Sequence, residues 1–165
     1  MRTAIYPGSF DPITNGHLDL IQRASLVFGR VIVAVANNDA KNALFSVDER
    51  QRLVQQSVTH LANVETDSLT GLLVDYVERR GGDVIIRGLR AVSDFEFEFQ
   101  LALMNRKLNE RIETLFMMPR EAFTFLSSRV VKEIARLGGD VGAFVPPHVR
   151  AALAEKLRPG GAPGI

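Results

Sequence analysis

Short apolar runs alternate along this chain with longer segments in which apolar residues recur at helical spacing. The first two runs, at residues 2–6 and 30–36, are rich in β-branched residues and predict strands. The segment between them predicts a helix that ends at Gly29, with inward positions three or four apart at Leu18, Ile21, Ala24 and Phe28. Strand, helix and strand in about thirty-five residues is typical of a βαβ unit with buried parallel strands.

The same alternation continues through the middle of the chain. Ser46 and Glu49 have the spacing of a capping box and predict the start of a second helix, followed by a short strand at 64–66. Thr70 is the predicted start of a third helix, which carries Leu73 inward and stops at Gly81 and Gly82. The run DVIIR at 83–87 predicts the fourth strand.

The last third of the chain completes the pattern. A helix is predicted at 94–108, a strand at 112–118, a helix capped by Ser127 or Ser128, and a final helix that opens at Pro146 and Pro147. These elements predict an α/β fold: a single-domain, Rossmann-like open sheet of five parallel strands with helices on both faces. The domain is expected to span residues 1–158. Residues 159–165, which are rich in Gly and Pro, are expected to form a flexible tail.

Composition narrows the classes of function. Lys plus Arg number 20 and Asp plus Glu 19, so the charge is +1 and neither nucleic acid nor a membrane is an expected partner. With zero cysteines the chain has no disulfide framework and no thiolate for catalysis or zinc. The first residues read as neither a signal peptide nor a membrane span, and we expect a cytoplasmic protein.

The candidate chemistry concentrates between the first strand and the first helix, at residues 6–19. Gly8 and Gly16 permit close approach of the backbone to a ligand, Ser9 offers a hydroxyl, and His17 falls in the first helical turn, where free N–H groups attract phosphate. A tight turn whose histidine only bonds the backbone is the structural alternative. The concentration of these residues at the predicted ligand edge favours a nucleotide site.

The motifs GSFDP, beginning at Gly8, and TNGH, beginning at Thr14, resemble the signature of the nucleotidyltransferase superfamily. IRGLRA from 86, DFEFE from 94 and FTFLSS from 123 are similar to the bacterial phosphopantetheine adenylyltransferases, and the likeness covers residues 2–157. The resemblance implies transfer of an adenylyl group from ATP to 4′-phosphopantetheine, which yields dephospho-coenzyme A and pyrophosphate. This reaction is a step of coenzyme A biosynthesis.

Residue roles follow from the same resemblance. It implies catalytic roles for His17, Lys41 and Arg90, with a weaker one for Thr14. The implied acceptor contacts are Ser9, Lys41, Leu73 and Arg87, although the helical spacing of Leu73 also suits plain core. The implied ATP contacts are Ser9, Phe10, His17, Gly88, Leu89, Arg90, Glu98, Phe123, Thr124, Phe125, Leu126, Ser127, Ser128 and Arg129. At Arg129 the chain departs from the family, which commonly has a third serine there.

Partners and cofactor are also implied. Mg²⁺ is expected to arrive bound to the ATP phosphates, because Asp94 and Glu98, four apart on one helix, lack an obvious third ligand. The family forms hexamers, and the apolar residues near 95–108 are a candidate interface. Feedback by coenzyme A is the expected regulation.

Two alternatives to this function stay open. The signature motifs are shared across the superfamily, so another acceptor, such as nicotinamide mononucleotide, fits them as well. A non-catalytic sensor that binds ATP at the same sheet edge is the second alternative.

Overall fold

The apolar runs form a sheet of five strands, each parallel to its neighbours. The computed structural model describes residues 1–37 and 42–158, and all side chains in these ranges except those at 92 and 93. The strands are β1 (Thr3–Gly8), β2 (Arg30–Ala36), β3 (Val64–Leu69), β4 (Val84–Gly88) and β5 (Glu113–Met117). Their order is β3-β2-β1-β4-β5, so the predicted open parallel sheet is confirmed.

Six α-helices are present within the described ranges, and they connect or follow the strands. They are α1 (Asn15–Val27), α2 (Val47–Val58), α3 (Leu73–Arg79), α4 (Val92–Leu108), α5 (Ser128–Arg136) and α6 (Pro147–Lys156). The predicted capping box of α2 is confirmed, because the Glu49 N–H donates to Ser46 Oγ and the Ser46 N–H donates to the Glu49 carboxylate. Ser127 is the N-cap of α5.

The two faces of the sheet carry separate hydrophobic layers. On β2, Val31, Val33 and Val35 pack with α1, α2, α5 and α6, whereas Ile32 and Ala34 pack on the opposite side with α3. Alternate side chains of a strand point to opposite faces, so a continuous apolar run serves both layers. Helices therefore cover both faces, as predicted, and α4 contacts α3 and β5.

One predicted helix start was wrong. α3 begins at Leu73 and not at Thr70, because β3 continues to Leu69 and Gly71 follows with φ +83°. A residue in this left-handed region cannot belong to an α-helix. The third strand is also longer than predicted, since backbone pairing with β2 continues from Val64 to Leu69 despite its polar side chains.

The central strands β1 and β4 part before either of them ends. β1 pairs with β2 along its whole length but with β4 only at Ala4 and Ile5. β4 continues beside β5 to Gly88, while Pro7 in β1 has no N–H to donate to a neighbour. The gap lies where the strand order reverses, and ligands of open parallel sheets bind at this position.

Two sequence-based expectations concern the ends and the surroundings of the domain. The predicted tail, residues 159–165, lies outside the described residues. Within the described ranges, every helix is too short or too polar to cross a membrane.

Truncation of the core tests the two-layer packing. Ile85→Ala is expected to lower the free energy of unfolding by about 2–5 kcal/mol, because the Ile85 side chain is fully buried in β4. Leu26→Ala is the matched control, since Leu26 is 86% exposed, and its effect is expected to stay within about 0.5 kcal/mol. Urea unfolding followed by circular dichroism measures both, and equal losses would contradict the assignment of Ile85 to the core.

Candidate active site

A cavity of about 550 Å³ occupies the gap at the carboxyl ends of β1 and β4. Its walls come from the β1–α1 turn, the end of β4, α4, the segment before α5, and the first turns of α5. Twelve of the residues that the sequence assigned to ATP or acceptor line it: Ser9, Phe10, His17, Arg87, Gly88, Arg90, Glu98, Phe123, Leu126, Ser127, Ser128 and Arg129.

The turn after β1 is built around the ring of Phe10. This residue has φ +47°, a left-handed conformation that non-glycine residues seldom adopt, and its side chain is only 2% exposed. The ring packs edge-on against Tyr6 and against His17. A Cβ on Gly8 would lie 3.0 Å from a Phe10 ring atom, so glycine at position 8 lets the ring close over the strand end.

His17 occupies the third position of α1 and takes the side-chain role in a capping box. Its Nδ1 lies 3.1 Å from the backbone nitrogen of Thr14, while the His17 N–H is directed to Thr14 Oγ1. Because an amide N–H donates, Nδ1 is the acceptor and the ring proton belongs on Nε2. The free edge of the imidazole is therefore a hydrogen-bond donor at the cavity.

The imidazole of His17 is neutral at physiological pH. Burial, and after it the nearby positive charge of Arg90, lower the pKa of His17 to about 4. Both causes favour the uncharged ring, which agrees with the acceptor role of Nδ1. The phenol of Tyr6, also at the cavity, is kept protonated because burial raises its pKa well above its usual value.

The two arginines at the end of β4 are held in different ways. Arg87 makes a two-pronged ion pair with Glu98 of α4, with nitrogen–oxygen distances of 2.7 and 2.8 Å. Hydrogen bonding to Glu98 raises the pKa of Arg87. Arg90 donates to the carbonyl of Leu126 at 2.9 Å, and its Nε lies 3.7 Å from Asp94. Carboxylate partners are thus present, yet both guanidiniums remain at the cavity wall.

The first turn of α5 forms the opposite wall. Ser127 caps the helix by accepting from the Val130 N–H, and Ser128 donates its hydroxyl proton to the Pro12 carbonyl at 2.7 Å. Arg129 extends outward with 87% of its side chain exposed and an ion pair to Glu133. Both serine hydroxyls therefore have partners within the protein, and the free N–H groups at the helix start are the groups there best suited to bind an anion.

Four assigned residues that the structure describes lie outside the cavity lining. Leu89, Thr124 and Phe125 flank it, and Leu73 packs against the hydrophobic layer on the α3 side of the sheet. Lys41 lies outside the described residues. The roles given to these five residues stay predictions.

Several cavity residues carry no assignment from the sequence. Asp11 accepts from the N–H groups of Leu44 and Phe45 and pairs with Lys132 of α5 at 2.7 Å. Arg50 of α2 also reaches the cavity although it is 1% exposed. Helical spacing gave no signal for Arg50, since an arginine on an amphipathic helix is usually solvated. Asp11 falls within the GSFDP motif, which was the available clue.

The described part of the lining is cationic overall and contains no cluster of ligands for a metal ion. Five cationic side chains, Arg50, Arg87, Arg90, Arg129 and Lys132, outnumber the carboxylates of Asp11 and Glu98. Asp94 and Glu98, the weaker metal candidates, are each engaged by an arginine. Among the residues described, no three His, Cys, Asp or Glu side chains are grouped for a metal ion.

Comparison with known proteins agrees with this fold and identifies the family of the chain. A solved Vibrio parahaemolyticus structure, provisionally named a nicotinate-nucleotide adenylyltransferase, superposes with a TM-score of 0.70 at 22% identity and covers 95% of each chain. This likeness concerns the fold. The model of the cytidylyltransferase-like family matches residues 5–134. Fold, family model and cationic cavity together define a nucleotidyltransferase.

Curated relatives show to which family of nucleotidyltransferases the chain belongs. The phosphopantetheine adenylyltransferase of Methylococcus capsulatus is 59% identical over 155 residues, which cover 94% of this chain and 96% of the relative. The phosphopantetheine adenylyltransferase of Syntrophotalea carbinolica is 56% identical over 156 residues, which cover 94% of each chain. The chain belongs to the phosphopantetheine adenylyltransferase family.

The depressed pKa of His17 predicts a dependence of stability on pH. The unfolded ring binds a proton below its ordinary pKa of 6.5, whereas the folded ring does so only near pH 4. The stability that the neutral ring supports is therefore complete above pH 6.5 and is lost as pH falls toward 4. Glutamine also suits the third position of a capping box, so His17→Gln keeps the cap without titrating. Between pH 7 and pH 4.5 the wild-type melting temperature is expected to fall further than that of His17→Gln. Parallel curves would contradict the assigned pKa.

Proposed function

We propose that this protein transfers the adenylyl group of ATP to 4′-phosphopantetheine, forming dephospho-coenzyme A and pyrophosphate in coenzyme A biosynthesis. The observation that carries the proposal is a neutral His17 whose Nε2–H is available in a cationic cavity. The family to which the chain belongs supports the choice of reaction.

The chemistry requires positioning more than acid–base catalysis. An oxygen of the acceptor phosphate attacks the α-phosphorus of ATP, and the bond from that phosphorus to the bridging oxygen breaks. Pyrophosphate leaves with the electron pair. The acceptor is already ionised, so no strong base is needed, and the protein's task is to align the groups and stabilise charge.

The residues on the nucleotide side are suited to this task. His17 Nε2–H would donate to a non-bridging oxygen of the α-phosphate as negative charge develops there. Arg90, anchored by the Leu126 carbonyl, would add a fixed positive charge. The free N–H groups at the start of α5 and Arg129 would face the outer phosphates. Phe123 and Leu126 provide apolar contacts for the base.

The acceptor side rests more on the family resemblance. Ser9 and Arg87 line the cavity and would contact the acceptor phosphate, with Lys41 adding charge and Leu73 an apolar contact. Arg87 is fixed by Glu98, so its guanidinium is held before substrate arrives. A preorganised arginine suits a phosphate because less side-chain freedom is lost on binding.

Mg²⁺ belongs to the proposal as a partner of ATP. The two carboxylates at the cavity are engaged by Lys132 and Arg87, so the donor set fits an ion held by the phosphates rather than by a protein cage. Such an ion would neutralise charge on the leaving pyrophosphate. We also propose a cytoplasmic location, where ATP is available.

A homohexamer is proposed as the assembly, with α4 at the interface. Glu98 of this helix faces the cavity, whereas six apolar side chains of the same helix are largely exposed: Phe95, Phe97, Phe99, Leu103, Met104 and Leu108. An exposed apolar patch of this kind usually marks an interface between proteins. Family resemblance supplies the number of subunits.

Release of pyrophosphate from Mg-ATP tests the reaction. With 4′-phosphopantetheine the wild-type enzyme is expected to release pyrophosphate, and His17→Ala to lose about 10²–10³-fold in kcat, because one transition-state donor is removed. His60→Ala is the matched control, since His60 is exposed and its Nε2 lies 3.3 Å from Gln22 Nε2, outside the cavity lining. Its turnover should match the wild type.

The same assay separates the alternatives. Release with nicotinamide mononucleotide instead would change the acceptor but keep the chemistry, and ATP binding without release from any acceptor would indicate a sensor. Unphosphorylated pantetheine should give no product. Coenzyme A, proposed as a feedback inhibitor, should lower the rate in competition with a substrate.

The assembly is tested by mass in solution. Light scattering should give six times the chain mass of 18.2 kDa. Phe97→Glu should reduce this mass, because it places a charge on a side chain that is 64% exposed in the single chain and buried in the proposed interface. Leu137→Glu, on the 90% exposed residue after α5, is the control. A wild-type monomer would refute the proposal.

A further inference from the structure

Arg50 is a buried arginine whose hydrogen bonds within the described residues all go to backbone carbonyl groups. Its Nη1 donates to the carbonyls of Ser9 at 2.7 Å and Ala36 at 3.0 Å, and its Nε donates to that of Phe45 at 3.1 Å. Within the described ranges it has no carboxylate partner, and its buried Nη2 has no hydrogen bond. A buried charge is costly without a paired charge. Such an arrangement calls for a role beyond stability.

The Ser9 carbonyl is one half of the peptide group that joins Ser9 to Phe10. A trans peptide is planar, and its C=O and N–H point in opposite directions. With the Ser9 oxygen directed to Arg50, the Phe10 N–H is directed away from α2. The hydrogen bonds among the described residues include none donated by this N–H. Both residues line the cavity, so among the described residues the Phe10 N–H is an unpaired donor at the candidate site.

The conformation of Phe10 is restrained from both sides. Arg50 holds the preceding carbonyl, while the following residue, Asp11, is tied to Lys132 and to the N–H groups of Leu44 and Phe45. Between these anchors Phe10 keeps its left-handed φ of +47°. A non-glycine residue persists in this region only where its surroundings determine it, and such residues cluster at active sites.

We propose that Arg50 is a positioning residue for adenylyl transfer. By gripping the Ser9 carbonyl it orients the Phe10 N–H toward the phosphates of ATP, beside the Nε2–H of His17. The donor then strengthens its hydrogen bond as negative charge develops in the transition state. This inference rests on the proposed function, since it assigns a further group to the same reaction.

Arg50→Lys and Arg50→Met test the inference through kcat and KM. An ammonium keeps the charge but cannot reproduce the planar fork across carbonyls from three segments. Both variants are expected to lose about 10²-fold in kcat, because small misplacements of catalytic groups have effects of this size. The KM for ATP should change by less than about threefold, since the lost interaction belongs to the transition state.

A destabilising substitution elsewhere on α2 serves as the control, because it distinguishes the loss of a positioning contact from a general loss of stability. Val54→Ala removes two methyl groups from a fully buried position on the same helix and leaves the contacts of the Ser9–Phe10 peptide with Arg50 in place. Activities are compared at a temperature below all melting transitions. The inference is overturned if Val54→Ala lowers kcat as much as Arg50→Lys, or if Arg50→Lys retains wild-type kcat.

The remaining outcomes also decide the question. Should Arg50→Met fail to fold, Arg50→Lys alone provides the comparison. A rise in KM for ATP that equals the fall in kcat/KM would assign Arg50 to ground-state binding and contradict the inference. Failure of the proposed function is distinct from these results, because the wild-type enzyme itself would then release no pyrophosphate.

Discussion

The site depends on how briefly the two central strands stay paired. β1 and β4 share register only at Ala4 and Ile5, after which β4 follows β5 and β1 follows β2. All strands are parallel, so their carboxyl ends meet at one edge, and the parting of this one pair turns that edge into a cleft. Every group assigned to catalysis that the structure describes sits on a segment leaving this cleft.

Charge in the cleft is arranged so that cations are fixed and the histidine is neutral. Arg87 and Lys132 are each held by a carboxylate, and Arg90 by a carbonyl. Burial, and after it the charge of Arg90, disfavour a proton on His17. The imidazole therefore stays a directional donor among fixed positive charges, an arrangement suited to a phosphate.

The fold was largely predictable because its signals are local. Apolar runs marked the five strands, and Ser46 with Glu49 marked a helix start, since a capping box needs residues only three apart. The start assigned to Thr70 was wrong because nothing in the composition shows that Gly71 adopts a positive φ. The extension of β3 depends on pairing with β2, which is a tertiary effect.

The residues that line the cavity were predictable where they belong to a sequence motif, but the contacts between distant segments were not. Eleven of the twelve lining residues came from motifs that a family shares, and Arg129 stands where the chain departs from that family. The partnership of Arg87 with Glu98 joins a strand to a helix eleven residues away, and that of Asp11 with Lys132 spans more than a hundred residues. Arg50 was missed because its burial arises from carbonyls contributed by three separate loops and strand ends, which periodicity does not encode.

The close fit of Gly8 against the Phe10 ring has an evolutionary consequence. A Cβ at position 8 would lie 3.0 Å from the ring, closer than an ordinary contact, so a side chain there requires the Phe10 ring to shift. A shift of the ring, or a smaller residue at position 10, would alter the edge-on contact with His17. The two positions are thus expected to vary together.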